Sequence, residues 1–176
     1  IQYDIETNQE SVHDPHDPLL FDRLDSFNAS SFLNRILSER YVRPENVYLL
    51  GVSDYPPKKA FRIKDQRVVD YVRAYSQLKS GGVKIITKKD IQMKPHMIRT
   101  VLKRIRTSHV YISVDMDVGS RAAVEGVRFR NWQGLKERQL FKILSHFECI
   151  PAQGVQLAGL DVTEFNAHRA GAEYLH

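Results

Sequence analysis

The chain has a single cysteine, Cys149, in 176 residues. One thiol cannot close an internal disulfide, and it excludes a Cys-rich zinc module, so the chain fits a reducing compartment. No apolar run reaches the roughly 18 residues needed to span a bilayer. No basic–apolar–small leader opens the chain. The expectation is a cytoplasmic protein with no membrane partner. A glycine-rich phosphate loop, a Ser–His–Asp order, a nucleotide fingerprint, an internal repeat and a low-complexity tract are all missing. Acidic residues are in the minority, giving a formal charge of +5. The basic residues are spread out, from Lys58-Lys59 to Lys88-Lys89, Lys103-Arg104-Arg106, Arg128 and Arg130. A nucleic-acid binder concentrates them in a stripe, so no nucleic-acid partner is expected. The plainer reading is a solvated surface with some attraction for anionic substrates.

What is present fits one soluble globular domain: 42% hydrophobic and 27% charged residues, with length enough for a sizeable core. The chain opens on Ile1-Gln2-Tyr3-Asp4-Ile5, a strand pattern without an initiating Met, and it stops soon after another strand. We expect a single domain over 1–176 that lacks its N-terminal part and last helix.

Strand-like and helical stretches alternate along it. Strands are expected at 1–5, 46–52, 83–87, 109–114 and 155–162. Helices are expected at 30–40, 64–79, 94–106 and 136–147, from apolar residues at helical spacing. Val68, Val69, Val72, Tyr75 and Leu78 form one stripe, with Tyr71 and Tyr75 as core. Leu140, Ile143, Leu144 and Phe147 form another. Gly81-Gly82 supplies a left-handed cap, and Pro95 leads the basic helix. The prolines of Asp14-Pro15 and Asp17-Pro18 mark a loop. Alternation at this spacing specifies an α/β fold with a mainly parallel sheet and helices on both faces.

Functional groups in open α/β sheets collect at the carboxyl ends of strands, and three such ends carry acids. The strand 110–114 runs into Asp115-Met116-Asp117. At a side-chain period of two, Asp115 and Asp117 share a side. Two carboxylates that close repel unless a cation lies between them or one is protonated. The first strand carries Asp4, Glu6 and Asn8 at the same period. The last ends Asp161-Val162-Thr163-Glu164. Oxygen ligands from several strand ends suit Mn²⁺, Mg²⁺ or Ca²⁺. The bland alternative is that these acids are exposed or cap turns. His13 and His16 lie three apart in the proline loop, where most such clusters are solvated turns. A loop histidine there would nonetheless be available to a metal. Trp132 packs or walls a pocket, His168 reads as surface, and Cys149 reads as a small buried residue.

Residues 113–135, SVDMDVGSRAAVEGVRFRNWQGL, resemble the ureohydrolase signature S-I-D-x-D-x-x-D-P-x-x-x-P-G-T-G-T-P-x-P-G-G-L. Ser113, Asp115, Asp117, Gly126, Gly134 and Leu135 match it without a gap. Gly159 to Asn166 resembles G-x-D-V-V-E-x-N-P, and 45–52 resembles the strand ending in G-I-R. The family is the arginase–agmatinase–formiminoglutamase superfamily. The resemblance implies a three-layer α/β/α sandwich and a homo-oligomer. It also implies a two-manganese centre whose bridging hydroxide attacks the guanidinium carbon of arginine or a related amidine. By the same resemblance Asp115 and Asp117 are metal ligands, and Glu164 is the catalytic and substrate-binding glutamate.

Other positions depart from the family pattern. Asp4-Ile5-Glu6-Thr7-Asn8 stands where D-A-H-x-D belongs, so Glu6 replaces a histidine and Asn8 an aspartate. The proton-transfer histidine falls near Asn28-Ala29, which leaves Asn28 at a substrate-facing position. One metal position keeps Asp4, Glu6, Asp115 and Asp117. The other keeps Asp4 and Asp115 with neutral Asn8, helped at most by His13 or His16. The cofactor expectation is therefore one or two Mn²⁺ ions, another divalent cation, or none. The functional expectation is a metal-dependent hydrolase of linear C–N bonds in a small guanidino or formimino compound, with a slight lean toward the formiminoglutamase branch. The alternative is a catalytically silent homologue acting as a binding or assembly subunit.

Overall fold

The computed structural model describes residues 32–120, 123, 126–127, 134–166 and 168. The expected first strand and the proline loop lie outside them. The chain forms two compact units, Ile1–Ile85 and Ile86–His176.

In the first unit, helix α1 (Phe32–Ser38) buries Leu33. Strand β1 (Tyr48–Val52) pairs with β2 (Lys84–Thr87), which begins in this unit. Between them runs α2 (Gln66–Ser80). It starts where Asp65 accepts a hydrogen bond from the Arg67 amide at 3.0 Å, a side-chain N-cap. Its inward stripe includes Tyr75, 2% exposed, with Tyr71 half-buried beside it. The helix ends in a Schellman motif: Val83 N–H donates to Leu78 at 3.0 Å and Gly82 N–H to Lys79 at 3.1 Å. Of the two glycines, Gly82 is the left-handed residue (φ 107°), while Gly81 keeps helical angles.

The tyrosines of α2 form a local cluster. Tyr55 and Tyr71 both meet the Tyr75 ring edge-on, at centroid distances of 5.2 and 5.3 Å. The Tyr75 hydroxyl donates to Asp54 Oδ1 at 2.6 Å. Burial, and then the Asp54 carboxylate, raise the Tyr75 phenol far above the ordinary tyrosine value. Burial first and Asp54 second push Tyr71 up to about 12. A raised folded-state pKa means stability that is full below the unfolded value near 10 and lost as pH rises above it. In a spectrophotometric titration, Tyr71 and Tyr75 should therefore resist ionisation until the fold opens, and Tyr111, also raised, should ionise late among the eight tyrosines. In Tyr75→Phe one of the two is gone, and unfolding should require about 1–2 kcal/mol less because Asp54 loses a donor. Eight tyrosines ionising together near pH 10 in the intact protein would contradict this.

In the second unit, Thr87 and Asp90 form a capping box that starts α3 (Lys88–Met93), with the Asp90 amide on Thr87 Oγ1 at 3.1 Å and the Thr87 amide on Asp90 Oδ2 at 3.0 Å. Helix α4 (Met97–Leu102) follows. The helix expected over 94–106 is thus shortened to Met97–Leu102, and α3 stands before it where no helix is expected. Pro95 drives Lys94 out of helical geometry (φ −141°, ψ 66°), because its ring crowds the preceding residue. Ile91, Ile98, Leu102 and Ile105 turn inward, with Ile98 fully buried.

Strand β3 (His109–Asp115), helix α5 (Glu137–His146) and strand β4 (Gln156–Thr163) complete the unit. β3 and β4 pair in parallel, as the sequence pattern requires, with a register shift at Val110/Tyr111. Helix α5 packs against α4. Its Leu144, expected inward from the periodicity, is instead 44% exposed. Among the described residues no element covers that side of α5.

Candidate active site at the strand ends

β3 is rich in β-branched and aromatic residues up to Val114, and its backbone stays in the ladder to Asp115. Asp115 is its last residue and stands opposite Thr163 of β4. Glu164 directly follows Thr163. Parallel pairing therefore delivers Asp115, Asp117 and Glu164 to the carboxyl ends of two adjacent strands, where α/β folds place their ligands.

Asp117 does not continue the strand alternation. It lies in a single 3₁₀ turn, Met116–Val118, begun by Asp115. Asp115 Oδ1 accepts the Asp117 amide at 2.9 Å. The period-two argument for a shared side thus gives way to a turn. Both acids are half-buried. Asp115 Oδ2 has no partner among the described residues, and Asp117 Oδ1 is buried. Hard carboxylate oxygens turned away from bulk water suit a divalent cation such as Mn²⁺. Among the described residues no group of three or more His, Cys, Asp or Glu forms a metal-binding cluster. Asp115 and Asp117 are two carboxylates of such a group without a third among the described residues. Asp4, Glu6, Asn8, His13, His16 and Asn28 lie outside the described residues, as does Trp132.

Two loop contacts hold these acids. After Asp117 the chain folds back onto the approach to α5. Ser120 N–H donates to Leu135 and Leu135 N–H to Val118, both at 2.8 Å, and Leu135 is fully buried. A Cβ on Gly134 would lie 2.2 Å from the Gly119 carbonyl carbon and oxygen. Beyond β4, Phe165 bridges antiparallel to Val127, and Asn166 N–H donates to Gly126 at 2.7 Å. Between β4 and that clamp Glu164 takes φ 56°, a left-handed conformation that costs an L-residue with a Cβ about 1–2 kcal/mol. Strain of this kind collects where a side chain must be aimed.

Asp161, grouped in the sequence with the strand-end acids, has a different place. It stands mid-strand opposite Ser113. It accepts from the Tyr111 hydroxyl at 2.5 Å and from Ser113 Oγ at 2.7 Å. Those bonds, Tyr111 first, hold its carboxyl below the usual range and raise the Tyr111 phenol. Asp161 is a cross-strand brace on the β3–β4 pair. Sequence reasoning misses it because the partner of Ser113 depends on strand register. His168 is exposed and Cys149 buried, both as expected.

The fold occurs in solved structures. Formimidoylglutamase from Bacillus subtilis subsp. subtilis str. 168 superposes with a TM-score of 0.59 at 24% identity, over 78% of this chain and 39% of that one. Proclavaminate amidino hydrolase from Streptomyces clavuligerus gives 0.56 at 20% identity, over 80% and 41%. The chain therefore spans about two fifths of the length of either structure. An α/β protein with acids at the carboxyl ends of a parallel strand pair is the class defined so far. The family model for the arginase family matches residues 13–173, and the chain belongs to that family. Among curated proteins none matches its sequence. Among the described residues no helix is long and apolar enough to cross a membrane.

Proposed function

We propose that this chain carries part of the active site of a metal-dependent hydrolase acting on linear C–N bonds in guanidino or formimino compounds. The observation that supports it best is the β3–β4 register, which sets Asp115 and the strained Glu164 side by side at the strand ends. The names of the two structural neighbours, a formimidoylglutamase and an amidino hydrolase, point to the same bond class.

In this reading Asp115 and Asp117 hold the cation, with Asp4 and Glu6 as the remaining acids. A bound Mn²⁺ supplies a water acidic enough to be a nucleophile at neutral pH. Glu164 receives the cationic end of the substrate, pairing a carboxylate with guanidinium or formiminium N–H groups. It thereby orients the carbon to be attacked. A homo-oligomer in a reducing cytoplasm belongs to the same reading. Exposed Leu157, Leu160 and Val162 on β4, at 54–58%, favour an apolar cover from outside the described residues.

The exchange of histidine for Glu6 and of aspartate for Asn8 favours a second reading, a silent homologue that serves as a binding or assembly subunit. Metal analysis after reconstitution with Mn²⁺, together with urea or ammonia release from a panel of guanidino and formimino compounds, separates the two. The hydrolase reading expects near-stoichiometric metal, anomalous scattering beside Asp115 and Asp117, and loss of both metal and turnover in Asp117→Asn. Metal-free protein that stays inactive with added Mn²⁺ supports the silent subunit.

A further inference from the structure

The β3–β4 pair has one polar face and one apolar face. Tyr111, Ser113 and Asp115 alternate onto one side of β3, and the register sets Gly159, Asp161 and Thr163 opposite them. The other side carries Val110, Ile112 and Val114 with Leu157, Leu160 and Val162. The register is not the one with which the pair begins. Val110 stands opposite Leu157, but Tyr111 stands opposite Gly159, so Ala158 is an additional residue, a bulge in β4. Carried on without it, the first pairing would set Leu160 against Ser113, Asp161 against Val114 and Val162 against Asp115. Each residue of slip moves β4 by about 3.3 Å, and a slip of one turns its side chains to the other face. Glu164 would then no longer stand beside Asp115.

Alternation alone disfavours that slip, but not a slip of two, which again sets apolar residues against apolar ones. Specific contacts make the choice, and they begin directly after the bulge. The Tyr111 ring lies over Gly159: a Cβ there would be 2.7 Å from its Cε2 and 2.8 Å from its Cδ2. Glycine within a strand marks a close approach of this kind. From that position the phenol reaches diagonally along β4 to Asp161 Oδ2 at 2.5 Å. Ser113, directly opposite, donates to Asp161 Oδ1 at 2.7 Å. Both carboxylate oxygens are thus held from β3, by two residues of one face. A slip of two in either direction would take Asp161 away from Ser113. The bonds are charge-assisted but exposed, so they decide alignment more than overall stability.

We propose that Tyr111, Ser113, Gly159 and Asp161 form a register lock, in which Tyr111 and Asp161 are positioning residues: through the β3–β4 alignment they hold Glu164 beside Asp115. The role in chemistry rests on the hydrolase reading; the lock itself does not. Asp115 and Asp117 both belong to the end of β3, whereas Glu164 follows β4. Loss of the lock therefore leaves these two acids together and displaces the group that receives the substrate.

The test combines cross-strand nuclear Overhauser contacts, Mn²⁺ titration and initial rates on the intact chain. The parent should show backbone contacts between Ser113 and Asp161 and between Asp115 and Thr163. In Asp161→Ala and in Tyr111→Phe/Ser113→Ala those contacts should weaken or move along β4. Mn²⁺ affinity should hold, while kcat/KM falls at least about tenfold, since misplacement by one ångström costs up to about a hundredfold. Asp161→Asn keeps one acceptor oxygen and should retain part of the rate. Adding Tyr111→Phe/Ser113→Ala to Asp161→Ala should cost nothing further, because the hydroxyls already lack their acceptor. Tyr111→Phe, which keeps the ring on Gly159, gives the same direction should the larger changes unfold the chain. A parent without turnover ends the hydrolase reading, and the cross-strand contacts then decide the lock alone. Unchanged contacts in Asp161→Ala, additive losses in the triple variant, or loss of Mn²⁺ binding in step with turnover would overturn the proposal.

Discussion

Gly134→Ala is expected to destabilise the protein by about 3 kcal/mol or more, the upper end of what forced overpacking costs. For a chain of this length that lowers the thermal midpoint by roughly 6–12 °C. The reason is contact and not conformation. Gly134 has no positive φ, yet its missing Cβ is the space occupied by the Gly119 carbonyl, 2.2 Å away. That atom is backbone and cannot rotate aside. Moving it would break the hydrogen bonds of Ser120 and Leu135 that fold the loop after Asp117. Gly154→Ala is the matched control. Gly154 has φ 78°, and a Cβ added there would meet nothing within 4 Å, so only the left-handed penalty of about 1–2 kcal/mol applies. Equal midpoints for the two variants would show that the close approach at Gly134 is not tight.

Glu164→Gly should separate stability from activity. Glycine accepts φ 56° without the Cβ clash, so the variant should match or exceed the parent's stability, by up to about 1 kcal/mol once glycine's greater chain entropy is subtracted. Under the proposed function the same change removes the carboxylate that receives the substrate cation. Turnover should then fall by more than about a hundredfold, the loss expected when a buried, hydrogen-bonded charge partner is deleted. Urea denaturation beside initial rates measures both. A variant that is markedly less stable would mean the Glu164 side chain holds the β4 end together. A stable variant with full turnover would remove Glu164 from the chemistry.

The described strands are legible within a residue or two. The apolar runs at 46–52, 83–87, 109–114 and 155–162 correspond to β1, β2, β3 and β4, because short β-branched and apolar runs bounded by turn residues favour the extended backbone. Helix α2 is legible from its stripe. Helix α3 lies outside the expected helices, although Thr87-Lys88-Lys89-Asp90 announces it as a capping box. The apolar spacing across 94–106 suggests a longer helix than α4, but Pro95 keeps Lys94 out of helical geometry, and that local rule prevails.

The sequence by itself determined the residue types at the site: a strand ending in Asp115, an acid two residues on, and a glutamate after the last strand. Hydrophobic pattern and motif spacing are one-dimensional, and they carry that much. Only tertiary structure decided which strand lies beside which and in what register. It therefore decided that Asp161 braces Ser113 and Tyr111 while Glu164 stands next to Asp115. The close approach at Gly134 has the same origin. Each joins residues far apart in the chain, and no local preference encodes such a distance.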